Sequence, residues 1–227
     1  MSRQLSERHL IGGLVAIIIC SLVVGFLVIV LDRRSSTEYE EGSAVRPITA
    51  DDHVIGARDA DTTLIVYTDL ECAYCKRFHL RTLGALREEY GDSIAIVYRH
   101  FPMPSRPKAL PEAEAAECAY ELGGHAAFWE YVQAVFSITP SDNQLDLAML
   151  PDIARGIGLD DVQFEACRAT GAGGERVARD VNDGARAGVV VTPSILVQKG
   201  DRSVLVAGDY LSRIQTAIAF VRSDTTH

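Results

Sequence analysis

The sequence predicts an α/β fold in which a block of helices interrupts a sheet, behind an N-terminal transmembrane helix. Three observations carry this. Residues 10–31 form an uncharged, almost wholly apolar run. Two β-branched runs, residues 63–68 and 93–98, flank a segment of helical periodicity, 73–90. Strand signals then vanish from about 109 to 187 and return at 194–198 and 203–207.

Taken in order, the apolar run is long enough to cross a bilayer core of roughly 30 Å. A cleavable signal peptide would have a shorter apolar region, about 7–15 residues, and a small-residue cleavage site. This run ends instead in Asp32-Arg33-Arg34, so an uncleaved anchor is expected within segment 1–34. Arg3 and Arg8 before the span balance Arg33 and Arg34 after it, so flanking charge does not orient it. Residues 35–45 are polar and acidic and read as a tether, and the folded domain, 46–227, begins near Arg46-Pro47.

Within that domain, parallel pairing of 63–68 with 93–98, with the helix as crossover, gives a βαβ unit. Segments 112–122, 126–136, 145–156, 162–169 and 175–187 read as helices, punctuated by Gly123-Gly124, Thr139-Pro140, Gly158 and Gly171 to Gly174. They form a helical insertion over about 106–187. Strands 194–198 and 203–207 make a hairpin around Lys199-Gly200-Asp201, and a last helix covers about 210–222. The net charge of −9 is scattered and no basic patch stands out, which argues against a nucleic-acid partner.

Chemistry enters at Cys72-Ala73-Tyr74-Cys75, where the first strand runs into the helix. Unpaired N–H groups and the positive end of the helix dipole favour a thiolate, the reactive form of cysteine. Cys72, at the first turn, is the candidate nucleophile, and Cys75, one turn on and further in, the resolving thiol. Half a zinc site and an inert disulfide are the competing readings. Zinc lacks the second spaced Cys/His pair, since a single His79 completes nothing, so no metal is expected. Glu71, Tyr74 and His79 flank the pair as candidate modulators. Tyr74 brings no charge; Glu71 and His79 either tune the thiolate, move protons or are ordinary solvated residues. At Val191-Thr192-Pro193-Ser194 a proline opens a late strand, where its missing donor is tolerated.

Asp69-Leu70-Glu71-Cys72-Ala73-Tyr74-Cys75, Tyr98-Arg99-His100-Phe101-Pro102, Ala115-Ala116-Glu117-Cys118-Ala119, Phe128-Trp129-Glu130 and Val191-Thr192-Pro193 follow one another in this order. That series resembles the membrane-anchored DsbA-type thiol–disulfide oxidoreductases of the thioredoxin superfamily, over roughly residues 50 to 222. The resemblance implies a thioredoxin-like fold with an inserted helical domain. It implies Cys72 as nucleophile, Cys75 as resolving cysteine, and a cis Thr192-Pro193 bond beside them whose backbone pairs with an extended substrate. It also implies a membrane quinone-linked partner that reoxidises the pair. Ala73-Tyr74 departs from the family's usual Pro- or His-containing dipeptides, which bears on oxidising strength.

Cys118 and Cys167 fall on two helices of the insertion. A structural disulfide between them would close a loop of about 50 residues, worth roughly 4 kcal/mol in the chain-entropy model; two buried free thiols are the alternative. Cys20 lies inside the apolar run.

The expected activity is dithiol–disulfide exchange on cysteine-containing secreted proteins. It takes place on the extracytoplasmic side of the cell membrane, with the Cys72–Cys75 disulfide in place of a cofactor. A reductase or isomerase of the same fold, and a tethered module that binds peptides without turnover, are the rivals.

Overall fold

The computed structural model describes residues 45–223. The expected span at 10–31 and most of the tether lie outside the described residues. Among the described residues no helix is long and apolar enough to cross a membrane.

Five strands form one sheet: β1 (His53–Ile55), β2 (Thr62–Thr68), β3 (Ile94–His100), β4 (Ser194–Lys199) and β5 (Arg202–Ala207). Their order is β1-β3-β2-β4-β5. β2 and β3 pair in parallel, with Thr68 opposite His100, and every other neighbour pairs antiparallel. β2 is buried on both faces, as a central strand with helices on either side must be. Leu64 and Val66 pack with Phe78, Leu86, Ile96, Ile195 and Ile218, while Ile65 and Tyr67 face Val97, Phe101, Val189 and Leu196.

The crossover helix has three parts: α1 (Ala73–Arg77), a π turn (Phe78–Thr82) and α2 (Leu83–Tyr90). The Leu83 N–H reaches back to the Phe78 carbonyl, so the helix widens around His79. Sequence periodicity suggests one uniform helix here; a single extra residue per turn leaves too weak a signal to see. The insertion comprises α3 (Ala109–Ile138), α4 (Leu150–Gly156), α5 (Asp161–Thr170) and α6 (Gly174–Arg186), and α7 (Leu211–Arg222) closes the fold. α3 is two helices joined at Gly124, whose φ of 68° and ψ of −163° break the spiral. The insertion has its own core of Phe128, Tyr131, Phe136, Leu150 and Phe164. Cys118 of α3 and Cys167 of α5 are bonded there, with Cα atoms 5.8 Å apart.

β1, a three-residue edge strand, and the ionic cluster behind the sheet have no counterpart in the sequence pattern. Arg99 is fully buried and pairs with Asp183 and with Asp52, the latter at 3.3 Å. Arg46 bridges Asp52 and Asp180, each at 2.7 Å, and the Tyr67 hydroxyl donates to Asp183 at 2.6 Å. Buried charges persist when paired and hydrogen-bonded in this way.

Candidate active site

β2 ends at Thr68, in the middle of the sheet, and the chain turns into α1 through Asp69, Leu70, Glu71 and Cys72. The Cys72 N–H closes the turn on the Asp69 carbonyl at 3.1 Å. Cys72 takes the N-cap position in extended geometry, and its carbonyl accepts from the Lys76 N–H at 2.9 Å. Cys75 lies one turn on, fully buried against Leu70, Tyr98 and Phe128. Both cysteines are free thiols.

The late strand brings its own part. The Thr192-Pro193 bond is cis, and the Cys72 thiol donates to the Thr192 carbonyl at 3.2 Å. Residues 120 positions apart in sequence thus meet at the sulfur. Val190 and Val191 before the proline, Tyr74 on α1 and Tyr210 before α7 are exposed apolar side chains.

The two thiols differ sharply in acidity. The Cys75 side chain, then the Thr192 side chain, the Cys75 N–H and the Arg106 charge, hold the Cys72 thiol down at about 6 despite its burial. Burial pushes Cys75 well above the usual thiol range, and its contact with Cys72 adds to this. The Asp69 N–H points at the Cys75 sulfur at 3.4 Å. Cys72 is therefore ionised at neutral pH while Cys75 keeps its proton, the division of labour that exchange requires.

Arg106, which the sequence reading did not single out, stands beside the pair. Its Nε donates to Asp69 Oδ2 at 3.0 Å and its Nη2 to Thr192 Oγ1 at 3.1 Å. A basic residue in a proline-rich loop gives no sequence signal for a contact made across the sheet.

The flanking residues fall differently. Glu71 is fully buried, which overturns the solvated alternative for it. Its carboxylate accepts the N–H groups of Gln144 and Leu145 at 3.1 and 2.9 Å, and its carbonyl accepts from Asp142 N–H at 2.7 Å. These bonds pin the 139–145 strap, where Ser141, Asp142 and Asn143 all have positive φ. Burial, and then the neighbouring Glu71 carboxylate, push Glu112 up to about 10, so it is protonated at neutral pH. Tyr74 points outward, with the Arg77 guanidinium 5.0 Å from its ring centre. His79 is half-buried between Trp129 and Phe136, and burial lowers its pKa to about 4. His100, given no chemistry from sequence, shares Glu117 with His53, at 2.9 and 3.0 Å. Among the described residues no group of His, Cys, Asp or Glu is arranged to hold a metal ion.

Comparison with known proteins places this geometry. The chain is similar to the Pseudomonas aeruginosa DsbA2 crystal structure, with a TM-score of 0.66 at 24% identity over 80% of this chain and 100% of that one. It is similar to oxidised BdbD from Bacillus subtilis, with a TM-score of 0.68 at 18% identity over 80% and 97%. It is also similar to BcfH from Salmonella enterica Typhimurium, with a TM-score of 0.71 at 15% identity over 96% and 97%. Among curated proteins it is 30% identical over 222 residues to the Na(+)/H(+) antiporter NhaA of Herminiimonas arsenicoxydans, covering 95% of this chain and 33% of that protein. The NhaA 3 antiporter of Salinispora tropica is 36% identical over 155 residues, covering 66% and 22%. The chain thus spans a third or less of the length of these two relatives. The thioredoxin profile matches residues 49–208, and with a thioredoxin-like sheet, a helical insertion and a Cys-x-x-Cys pair facing a cis-proline, the chain belongs to the thioredoxin family.

Proposed function

We propose that the chain is a DsbA-type thiol–disulfide oxidoreductase that introduces disulfides into cysteine-containing extracytoplasmic proteins. The observation that carries this is the geometry of the pair: Cys72 at the start of α1, 3.2 Å from the Thr192 carbonyl beside the cis-proline, with Cys75 fully buried one turn on. A substrate thiolate attacks Cys72 in the oxidised pair, the Cys72–Cys75 bond breaks, and a mixed disulfide forms. The substrate's second thiolate then attacks its own sulfur in that bond and releases Cys72 as thiolate. The substrate loses two electrons and the pair gains them. No cofactor beyond the Cys72–Cys75 disulfide is needed for that step. An extended substrate pairs with the backbone at Thr192-Pro193, with Val191 and Tyr74 as apolar neighbours.

The expected span at residues 10–31 would hold this domain at the outer face of the cell membrane, and a quinone-linked membrane protein would reoxidise it. Curated relatives named as antiporters support work at a membrane. A reductase of the same fold is the second reading, and the Cys72 acidity favours it in part. A value of about 6 lies closer to thioredoxin, about 7, than to the strongest oxidant of the superfamily, about 3.5.

The test is oxidation of a reduced, unfolded protein by the full chain. Wild type should form disulfides in it, Cys72→Ser should abolish this, and Cys75→Ser should trap mixed disulfides. Full turnover in Cys72→Ser refutes the proposal. A reduction potential near −270 mV would select the reductase.

A further inference from the structure

We propose that Arg106 is a positioning residue for this exchange: it orients the Thr192 hydroxyl toward the Cys72 sulfur and lends its charge to the thiolate. The inference rests on the exchange reading above and assigns the group that poises it.

The geometry begins with how Arg106 is held. The loop from β3 to α3 contains Pro102, Pro104 and Pro107, and the Arg106 N–H closes a turn on the Met103 carbonyl at 2.8 Å. Asp69, fully buried at the end of β2, takes Arg106 Nε on Oδ2, and the same oxygen accepts the Met103 N–H at 2.9 Å. One edge of the guanidinium is thereby fixed to the loop that leads into Cys72. The other edge reaches Thr192 Oγ1 at 3.1 Å.

A guanidinium has donors and no acceptor. The Thr192 oxygen must therefore accept from Arg106, and its own proton is left for another acceptor. The Cys72 sulfur, 3.2 Å from the Thr192 carbonyl, is at hand. A hydroxyl that accepts from a cation is a stronger donor, since hydrogen bonds in a chain polarise one another. Both the Thr192 side chain and the Arg106 charge act to lower the Cys72 pKa. Arg106 is largely shielded from water, its side chain 20% exposed, so its charge is screened less than a surface charge would be.

The redox sense follows. With the disulfide formed there is no sulfur charge, and Arg106 is paired with Asp69 alone. When a substrate dithiol reduces the pair, two electrons arrive, Cys75 takes one proton and the other goes to water. Cys72 is left as a thiolate beside Thr192 and Arg106. Stabilising that state favours reduction of the pair and so strengthens it as an oxidant.

The test uses the full chain and reads Cys72 ionisation by thiolate absorbance near 240 nm and by the pH profile of alkylation. It also measures the equilibrium with glutathione. Wild-type Cys72 should ionise well below a free thiol. Arg106→Met should weaken that ionisation about tenfold and, above both ionisations, shift the glutathione equilibrium about tenfold toward the disulfide, about 30 mV. Thr192→Val, which removes the hydroxyl and leaves the charge, should act in the same direction but less, and the double variant should do no more than Arg106→Met alone, because the hydroxyl acts within the arginine's chain of contacts. Arg106→Lys, which keeps the charge without the fork, should fall between and serves if the methionine variant does not fold. An unchanged ionisation in Arg106→Met, or additive effects in the double variant, overturns the inference and leaves the exchange reading standing. A wild-type Cys72 that ionises like a free thiol, about 8.5, overturns both.

Discussion

Cys75 and His79 sit one turn apart on the same helix, and burial acts on each by the same rule with opposite chemical results. Burial disfavours charge, so the thiol keeps its proton and the imidazole does not gain one. For His79 this has a sign that can be checked. Its folded pKa, about 4, lies below its ordinary value of 6.5. The unfolded chain therefore binds the proton first as pH falls. The stability tied to a neutral His79 is complete above pH 6.5 and is lost progressively toward pH 4, by roughly 2–3 kcal/mol. Glu117, held at about 2 against its burial by hydrogen bonds from His100 and His53, adds a loss of the same sign below its ordinary 4.5. Denaturation in urea at pH 7.5 and 4.5 should thus show a smaller acid penalty in His79→Leu than in wild type. Equal penalties would mean that His79 is not held neutral by burial.

At the scale of elements, the 139–145 strap shows how the insertion is fastened to the active-site turn. Three consecutive residues with positive φ carry a backbone cost, roughly 1–2 kcal/mol for Ser141 and less for Asp142 and Asn143, whose side chains tolerate this region. The Glu71 bonds, Lys76 Nζ on the Thr139 carbonyl at 2.6 Å and Lys108 Nζ on the Leu145 carbonyl at 2.8 Å offset that cost. Glu71→Ala would leave the Gln144 and Leu145 N–H groups without their acceptor. It should cost about 2–4 kcal/mol, with part recovered in Glu71→Gln; urea midpoints would check this, and an unchanged midpoint in Glu71→Ala would contradict it. Much of this level was legible in the sequence. The βαβ unit, the hairpin and the insertion helices announce themselves through hydrophobic period and glycine, because those signals are local. β1 was missed because three residues cannot show a period. The strap, Arg106 and the Arg99 cluster were missed because their meaning lies in partners tens of residues away. Cys72 and Cys75 were readable because two cysteines with two residues between them, at a strand-to-helix junction, are a local signal.

For the whole domain, the Cys118–Cys167 bond ties α3 to α5 across 49 residues of sequence. In the chain-entropy model such a loop contributes about 4 kcal/mol, a large share of the 5–15 kcal/mol by which domains are typically stable. A Cys118→Ala/Cys167→Ala variant should unfold at markedly lower urea while Cys72 keeps its acidity. A shared loss of both would mean that the insertion's staple also shapes the site.

Trp129 is the single tryptophan of the chain, and its ring centre lies 6.1 Å from that of His79. It also lines, with Thr68, His79 and Tyr98, a small cavity behind the active helix. The protein therefore carries its own optical probe at one known place. Excited selectively over the eight tyrosines, its emission comes from a point between the insertion and the helix that bears both cysteines. Changes in that emission during oxidation and reduction would give the kinetics of the buried side of the site without any added label.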